Sequence, residues 1–154
     1  MTIRRFSLHD QKETRALILE GLGEHFGFID ETANPDLEDI QEYYVNTGCV
    51  FLIAERAQEI IGTGCLVRTG PETGKLVRMS TAKSCRREGV GTALLNALLN
   101  EAREMQITEI TVATEPDWTD AVSFYRSHGF VAFGKDEIDI FLRLNIHRNS
   151  SRRT

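Results

Sequence analysis

The chain of 154 residues has no apolar run approaching the length needed to cross a membrane, about 20 consecutive residues. No membrane association is therefore expected. It holds three cysteines, Cys49, Cys65 and Cys85, odd in number and widely spaced, which argues against a disulfide framework or a zinc site and for free thiols in a reducing compartment. It also lacks an excess of positive charge. Lys and Arg number 18 against 23 Asp and Glu, a formal net charge of -5, which speaks against general nucleic-acid binding. The local exceptions are Arg86-Arg87 and the Arg148–Arg153 stretch. The opening residues Met1-Thr2-Ile3-Arg4-Arg5 lack the long apolar core of a signal peptide, so a cytoplasmic protein is expected. No internal repeat and no low-complexity segment interrupts the chain.

What is present is ordinary for a globular protein, with 41% hydrophobic and 27% charged residues. A chain of this size buries roughly 70% of its unfolded surface and needs no metal or disulfide staple. One domain is expected over residues 1–146, followed by a polar, basic tail, 147–154, expected to be disordered.

Hydrophobic periodicity divides the chain into elements. Thr2–Phe6 reads as a short strand. A helix follows from about His9 to Leu22, with Thr14, Leu17, Ile18 and Leu22 on one face. Gly21, Gly23 and Gly27 are expected to break it. A second helix is expected over Asp36–Val45, ended by Gly48. The period then shortens to two over Cys49–Glu55 and Ile60–Arg68, joined by a polar turn at Arg56–Glu59, the pattern of an antiparallel hairpin. Gly70–Gly74 is a second turn and Lys75–Thr81 a third strand.

The strongest helical pattern is Gly89–Met105, where Leu94, Leu95, Leu98, Ala102 and Met105 recur at helical spacing. Thr108–Thr114 is a strand, and a further helix runs to about His128, with Asp117 as its expected N-cap and Gly129 as its stop. Two closing strands are expected at Phe130–Gly134 and Ile138–Leu144. The order β-α-α-β-β-β-α-β-α-β-β predicts an α/β protein with a mixed sheet and helices on both faces.

The most informative stretch is Arg86-Arg87-Glu88-Gly89-Val90-Gly91-Thr92. The first N–H groups of a helix have no internal acceptor and lie at the positive end of its dipole. Glycines let a ligand approach them without meeting a Cβ. Two arginines add charge just upstream. This is an anion site suited to a phosphate or pyrophosphate. It is not a P-loop, because no Gly-Lys-Ser/Thr closes it. Nor is it the dinucleotide fingerprint Gly-x-Gly-x-x-Gly, because position 94 is leucine and Ala82–Glu88 separate the glycines from the preceding strand. A helix that merely starts with glycines is the bland alternative.

Arg86-x-x-Gly89-x-Gly91, set between a strand and a long helix, resembles the acyl-CoA-binding motif [Gln/Arg]-x-x-Gly-x-[Gly/Ala] of the GNAT superfamily of N-acetyltransferases. Leu76–Thr81 is similar to the family's central strand. Ala121-x-x-Phe124-Tyr125-x-x-x-Gly129-Phe130 resembles its second signature. The resemblance covers about Cys49 to Leu144. It implies the GNAT-like acyl-CoA N-acyltransferase fold and acetyl-CoA as cosubstrate. The pyrophosphate would lie on the loop Arg86, Arg87, Glu88, Gly89, Val90, Gly91 and Thr92. The pantetheine amides would pair with the strand edge at Met79, Ser80 and Thr81, as an added strand would. The resemblance also implies that this strand and Thr108–Thr114 splay apart to admit the arm.

The tyrosine matching Tyr125 commonly protonates the departing CoA thiolate in the family. A phenol with an ordinary pKa near ~10 stays protonated at neutral pH and can donate. The competing role is an aromatic core residue beside Phe124. Trp118 stands where relatives often carry asparagine. No metal is required. The general base is not identifiable; Glu55 is the sole carboxylate on the two strands that would naturally supply it, and it lies at a strand end. Cys85 is expected to be a passive thiol.

Asp30, Glu31, Asp36, Glu38, Asp39 and Glu42 form an acidic cluster that would either attract a cationic amine or be a solvated face. The implied reaction is acetyl transfer to a primary amine, small-molecule or peptide, by direct attack in a ternary complex. Two alternatives stay open: an acyl-CoA-binding sensor or inactive module, and an enzyme acting on protein lysines or N-termini. A homodimer also stays open.

Overall fold

The computed structural model describes residues 1–27, 29–30 and 32–147. The expected tail beyond His147, and Phe28 and Glu31, lie outside the described residues. The strands are β1 Thr2–Arg5, β2 Val50–Arg56, β3 Glu59–Arg68, β4 Thr73–Thr81, β5 Glu109–Thr114, β6 Val131–Lys135 and β7 Ile140–Asn145. The helices are α1 Gln11–Phe26, α2 Val90–Glu104 and α3 Thr119–Ser127. The hydrogen-bonded strand order is β1-β2-β3-β4-β5-β7-β6, with β4 and β5 parallel and β1–β2, β2–β3, β5–β7 and β6–β7 antiparallel. The sheet is mixed, as the element order predicts. The chain forms two compact units, one of residues 1–67 and 77–101, the other of residues 68–76 and 102–154.

In the first unit the β2–β3 hairpin turns at Ala57 and Gln58, whose φ values of 52° and 66° give the twist that a two-residue hairpin loop requires. Val50–Ala54 of β2 are buried without interruption, and so are Ile60–Leu66 of β3. Continuous burial means that both faces of these strands are covered, which is why their sequences read as apolar runs. On one face lies a core of Phe6, Ile18, Leu37, Ile40, Tyr44 and Phe51. On the other, α2 comes unusually close. A Cβ built at Gly62 would stand 2.7 Å from Val90 Cγ1 and 2.8 Å from Leu94 Cδ1, and one at Gly64 would stand 2.5 Å from Met79 Sδ and 2.8 Å from Leu98 Cδ1. The two glycines form the track on which Val90, Leu94 and Leu98 seat the helix. They thereby fix where its N-terminus lies.

Two expectations are corrected here. Gly21 and Gly23 do not end α1, which runs to Phe26 and is stopped by Gly27 at φ 84°. Gly21 instead lets the helix pass Ser80, whose Oγ would be 3.1 Å from a Cβ there. The predicted second helix is replaced by a 3-10 turn at Pro35–Glu38 and a π-helical turn at Gln41–Val45. Asp39 breaks the run with a non-helical backbone, φ -150° and ψ 85°, and its carboxylate accepts from the Glu42 N–H (3.0 Å), while the residues on either side turn to distant partners, Asp36 to Arg78 and the Ile40 N–H to Gln11.

In the second unit β5 alternates in burial and pairs with β7 in the register Ile110↔Leu144 and Val112↔Leu142. The parallel register of β4 with β5 is three pairs long, from Thr73↔Glu109 to Lys75↔Thr111. Ile138 is 67% exposed and lies before β7, so the alternation that begins at Ile140 does not include it. The residue at the N-cap of α3 is Trp118, not Asp117, and it makes no side-chain cap. Its carbonyl accepts from Val122 N–H at 3.1 Å.

Candidate active site

β4 delivers the chain to the anion loop. A 3-10 turn at Lys83–Cys85 follows the strand, and Arg86–Gly89 lie exposed before α2 begins. Gly89 has φ 86°, a conformation that a side chain makes strained, and a Cβ there would meet nothing within 4 Å. Arg87 also takes a left-handed conformation, φ 64°. The first α2 bond runs from Ala93 N–H to the Gly89 carbonyl at 3.0 Å, so the N–H groups of Val90 and Gly91 have no intrahelical acceptor. Gly91 has an ordinary helical φ, since it is absent from the positive-φ residues. A glycine inside a helix costs about 1 kcal/mol relative to alanine.

Three side chains of the loop, Arg86, Glu88 and Val90, are engaged elsewhere, and Arg87 is exposed. Arg86 makes a two-pronged contact with Glu24 of α1, at 2.8 and 3.1 Å. Glu88 pairs with Arg56 at 2.8 Å. Val90 is 1% exposed and packs in the core, so only its backbone faces a ligand. The site is thus a backbone cradle with one arginine held at its rim. Met79, Ser80 and Thr81 are half-buried on β4, and Cys85 is buried beneath the turn.

The same strand carries a feature that sequence reasoning missed. Arg78 sits in β4 with φ 55°, the left-handed region, which costs a non-glycine residue about 1–3 kcal/mol. Its carbonyl accepts from Thr63 Oγ1 at 2.7 Å. Its guanidinium grips Asp36 with two bonds, Nε to Oδ2 at 2.9 Å and NH2 to Oδ1 at 2.7 Å, and reaches Asn34 Oδ1 at 3.1 Å. The Tyr44 hydroxyl donates to Asp36 Oδ2 at 2.5 Å. Burial alone would raise the Asp36 pKa, but the bonds from Arg78 and Tyr44 outweigh it and hold the carboxyl below its usual range. Burial, reinforced by the carboxylate, pushes the Tyr44 phenol well above its usual range. The signal available in the sequence was one arginine inside the apolar run Leu76-Val77-Arg78-Met79.

Two members of the acidic cluster, Asp36 and Glu38, are paired with arginines, and the other described ones accept from uncharged groups. Asp36 belongs to Arg78 and Tyr44. Glu38 pairs with Arg15 at 3.1 Å, Glu42 accepts from Asn46 at 2.8 Å, and Asp30 accepts from Thr32 at 2.7 and 2.9 Å. Glu55, the one strand carboxylate considered as a base, is held by Arg4 at 3.0 Å.

In the second unit Tyr125 is 8% exposed on α3, edge-on to both Phe124 and Phe130 with ring centroids 5.3 Å apart in each pair. Its phenol donates to no protein acceptor among the described residues. Burial pushes its pKa well above the usual phenol value, so the hydroxyl stays protonated. The Tyr125 carbonyl accepts from Phe130 N–H at 3.1 Å, which ties the Gly129-Phe130 end of the second signature back to the tyrosine.

A mixed sheet whose fourth strand runs into a glycine-opened helix N-terminus defines an α/β protein able to hold a phosphate-bearing ligand on backbone amides. The family model of the GNAT acetyltransferases matches residues 16–130, and the chain belongs to that family. N-acetyltransferase 8 of Rattus norvegicus is 30% identical over 119 residues, covering 73% of this chain and 54% of the relative. N-acetyltransferase 8 of Homo sapiens is 27% identical over 123 residues, covering 76% and 54%. The chain therefore spans about half the length of the curated relatives it matches. Among solved structures, a GNAT-family acetyltransferase of Staphylococcus aureus Mu50 superposes with a TM-score of 0.86 at 27% identity, covering 94% of this chain and 98% of that one. PaiA N-acetyltransferase of Thermoplasma acidophilum, solved in complex with coenzyme A, superposes with a TM-score of 0.84 over 94% and 98% of the two chains. At 17% identity that likeness concerns the fold. Among the described residues no helix is long and apolar enough to cross a membrane.

Proposed function

We propose that this chain is an acetyl-CoA-dependent N-acetyltransferase acting on a primary amine. The observation that carries the reading is the backbone cradle at Gly89–Gly91, open to solvent and seated by α2 on Gly62 and Gly64 at the end of the central strand. Coenzyme A offers a pyrophosphate to that cradle, and its pantetheine amides suit the edge of Met79–Thr81. The amine nitrogen attacks the thioester carbonyl carbon, and backbone N–H groups near Met79–Ser80 polarise the carbonyl oxygen. As the C–S bond breaks, the thiolate takes the proton of the Tyr125 phenol. The proton lost by the acetylated nitrogen leaves through water. Burial keeps the Tyr125 phenol protonated at physiological pH, the state a proton donor starts from, while weakening it as an acid.

The acidic segment does not choose the acceptor. Asp36 and Glu38 pair with Arg78 and Arg15, whereas Asp30, Asp39 and Glu42 accept from uncharged groups and keep their charge. The acceptor class stays a primary amine, small-molecule or peptide.

Two measurements test the reading. Acetyl-CoA should raise Tm, by mass action on the native state, and NAD or ATP at equal concentration should do much less. A panel of amines assayed for CoA release should then show turnover with one class. Equal shifts from all three nucleotides would reduce the loop to a generic phosphate site. A shift with acetyl-CoA and no turnover with any amine would make the chain a binding module.

A further inference from the structure

Arg78 does something unusual for a residue in a strand. It holds a left-handed backbone one residue before Met79, and both its carbonyl and its guanidinium are bonded. Thr63 fixes its carbonyl. Asp36 fixes its side chain, and Asp36 is itself fixed by Tyr44. These partners come from three different stretches: the connection after α1, the π-helical turn before β2, and β3. The arginine is 19% exposed and the aspartate 11%, so the pair is shielded from the screening that makes surface ion pairs weak. A fork of two parallel bonds also fixes orientation, which a lysine in the same place could not do. A left-handed residue in a strand breaks the regular alternation and re-aims the groups that follow it. The groups that follow are Met79 and Ser80, whose N–H groups the proposed function places at the thioester carbonyl.

We propose that Arg78, gripped by Asp36, is a positioning residue for acetyl transfer: the pair holds the backbone of β4 so that the Met79–Ser80 amides point where the carbonyl oxygen develops charge. This rests on the function proposed above. Neither side chain touches the reacting atoms; both act through the peptide they hold. The Asp36–Arg78 pair also ties the segment after α1 to the same strand. The acidic residue best placed to look like an amine attractor is thus part of the scaffold for the other half of the reaction.

The experiment compares Asp36→Asn, Arg78→Lys and Tyr44→Phe with the unaltered chain. It uses three readouts: kcat with the best amine, acetyl-CoA dissociation constant, and amide hydrogen exchange across residues 78–81. Asp36→Asn and Arg78→Lys should lower kcat about tenfold or more while acetyl-CoA binding stays within about threefold, because the pyrophosphate cradle is untouched. Exchange at Met79 and Ser80 should rise, and exchange in α2 should not. Tyr44→Phe removes one bond and leaves the pair intact, so it should fold and lower kcat about two- to fivefold. Unchanged kcat and unchanged exchange in a folded Asp36→Asn would overturn the proposal and leave the pair a stabilising contact. If that variant does not fold, Tyr44→Phe decides, and a wild-type kcat with wild-type exchange overturns it. A wild-type chain that turns over no amine would sink the proposed function instead, and the exchange measurement would still judge the clamp.

Discussion

The anion loop at residues 86–92 and the segment at residues 30–45 flank the same strand, yet they are built by opposite means. In the proposed function the loop works through main-chain N–H groups, and Arg86, Glu88 and Val90 turn their side chains to Glu24, Arg56 and the core. The segment works through side chains, with Asp36, Tyr44 and Asn34 converging on Arg78. A backbone site writes itself into the sequence as glycines at fixed spacing, because only glycine permits the conformation and the approach. A side-chain network leaves no such spacing. Asp36 and Arg78 lie 42 residues apart, and nothing local links them. One region is robust to most substitutions outside its glycines, and the other depends on the identity of each member.

The largest expected effect breaks the loop without harming the helix. Gly91→Asp puts a carboxylate where the pyrophosphate would lie. A carboxylate in the first helical turn is favourable for the helix itself, by about 0.3–1 kcal/mol. Stability should therefore hold while acetyl-CoA binding falls at least about a hundredfold by titration calorimetry, since the new carboxylate both fills the place of the pyrophosphate and repels it. Retained binding would remove Gly91 from the site.

Next comes the chemistry. Tyr125→Phe keeps the rings packed against Phe124 and Phe130 and removes the proton donor. It should lower kcat about 10²-fold with the acetyl-CoA dissociation constant within a few-fold. A loss of Tm with normal turnover of the folded fraction would mark Tyr125 as core alone.

The same contrast explains what was legible beforehand. The hairpin, α2 with its glycine-containing approach, and the closing strands could be read because each announces itself within a dozen residues by period or by glycine. The predicted helix over Asp36–Val45 failed because its residues answer to distant partners: Asp36 to Arg78, Ile40 N–H to Gln11 at 2.9 Å, Glu38 to Arg15. Tertiary contacts outvote helix propensity there. The early end assigned to α1 failed for a related reason. Gly21 was read as a breaker, but it is small because Ser80 lies beside it. Trp118 at the N-cap of α3 shows that a good capping residue one position away does not fix a helix start.

Gly64→Val sharpens the view that the cradle is placed by packing beneath it. The new side chain would meet Met79 Sδ and Leu98 Cδ1 well inside contact distance. Overpacking of this kind costs about 1–3 kcal/mol, read as a lower midpoint in urea. If α2 lifts to make room, rather than the Met79 and Leu98 side chains turning aside, acetyl-CoA affinity falls with stability. Affinity unchanged in the folded variant would mean that those side chains yield instead, or that the helix N-terminus is held by something other than its seat on β3.

Acid tests the side-chain side of the comparison at a second ion pair. Asp10 is buried, and two bonds from Arg4, at 2.7 and 2.9 Å, with the Ser7 N–H at 2.8 Å hold its pKa down to about 2 against the cost of burial. A carboxyl whose folded pKa is lowered contributes stability above its unfolded value, and loses it as pH falls through the folded value. Between pH ~4 and pH ~2 the chain should lose roughly 2 kcal/mol from this group. Asp10→Asn should flatten that part of the stability profile, measured by urea midpoints at each pH. A variant that keeps the wild-type acid slope would move the effect to other carboxylates.

The smallest effect lies where the two regimes meet, at Arg86. The sequence alone would assign it a direct phosphate contact and a tenfold or greater loss on removal. The structure finds its guanidinium on Glu24, half-exposed on both sides. A phosphate must compete with that carboxylate, so the net gain from the arginine is reduced by the contact it gives up. Exposed pairs of this kind are worth about 0–1 kcal/mol. Arg86→Ala should therefore weaken acetyl-CoA only about threefold to tenfold, and Glu24→Gln, which frees the guanidinium without moving it, should tighten binding about two- to fivefold. Both changes should shrink as salt rises, because charges at the rim are screened over ~8 Å at physiological ionic strength. If Glu24→Gln leaves affinity unchanged while Arg86→Ala lowers it, the arginine swings to the phosphate at no cost from the carboxylate. If neither matters, the backbone alone holds the pyrophosphate, and the division between a main-chain cradle and a side-chain scaffold is complete.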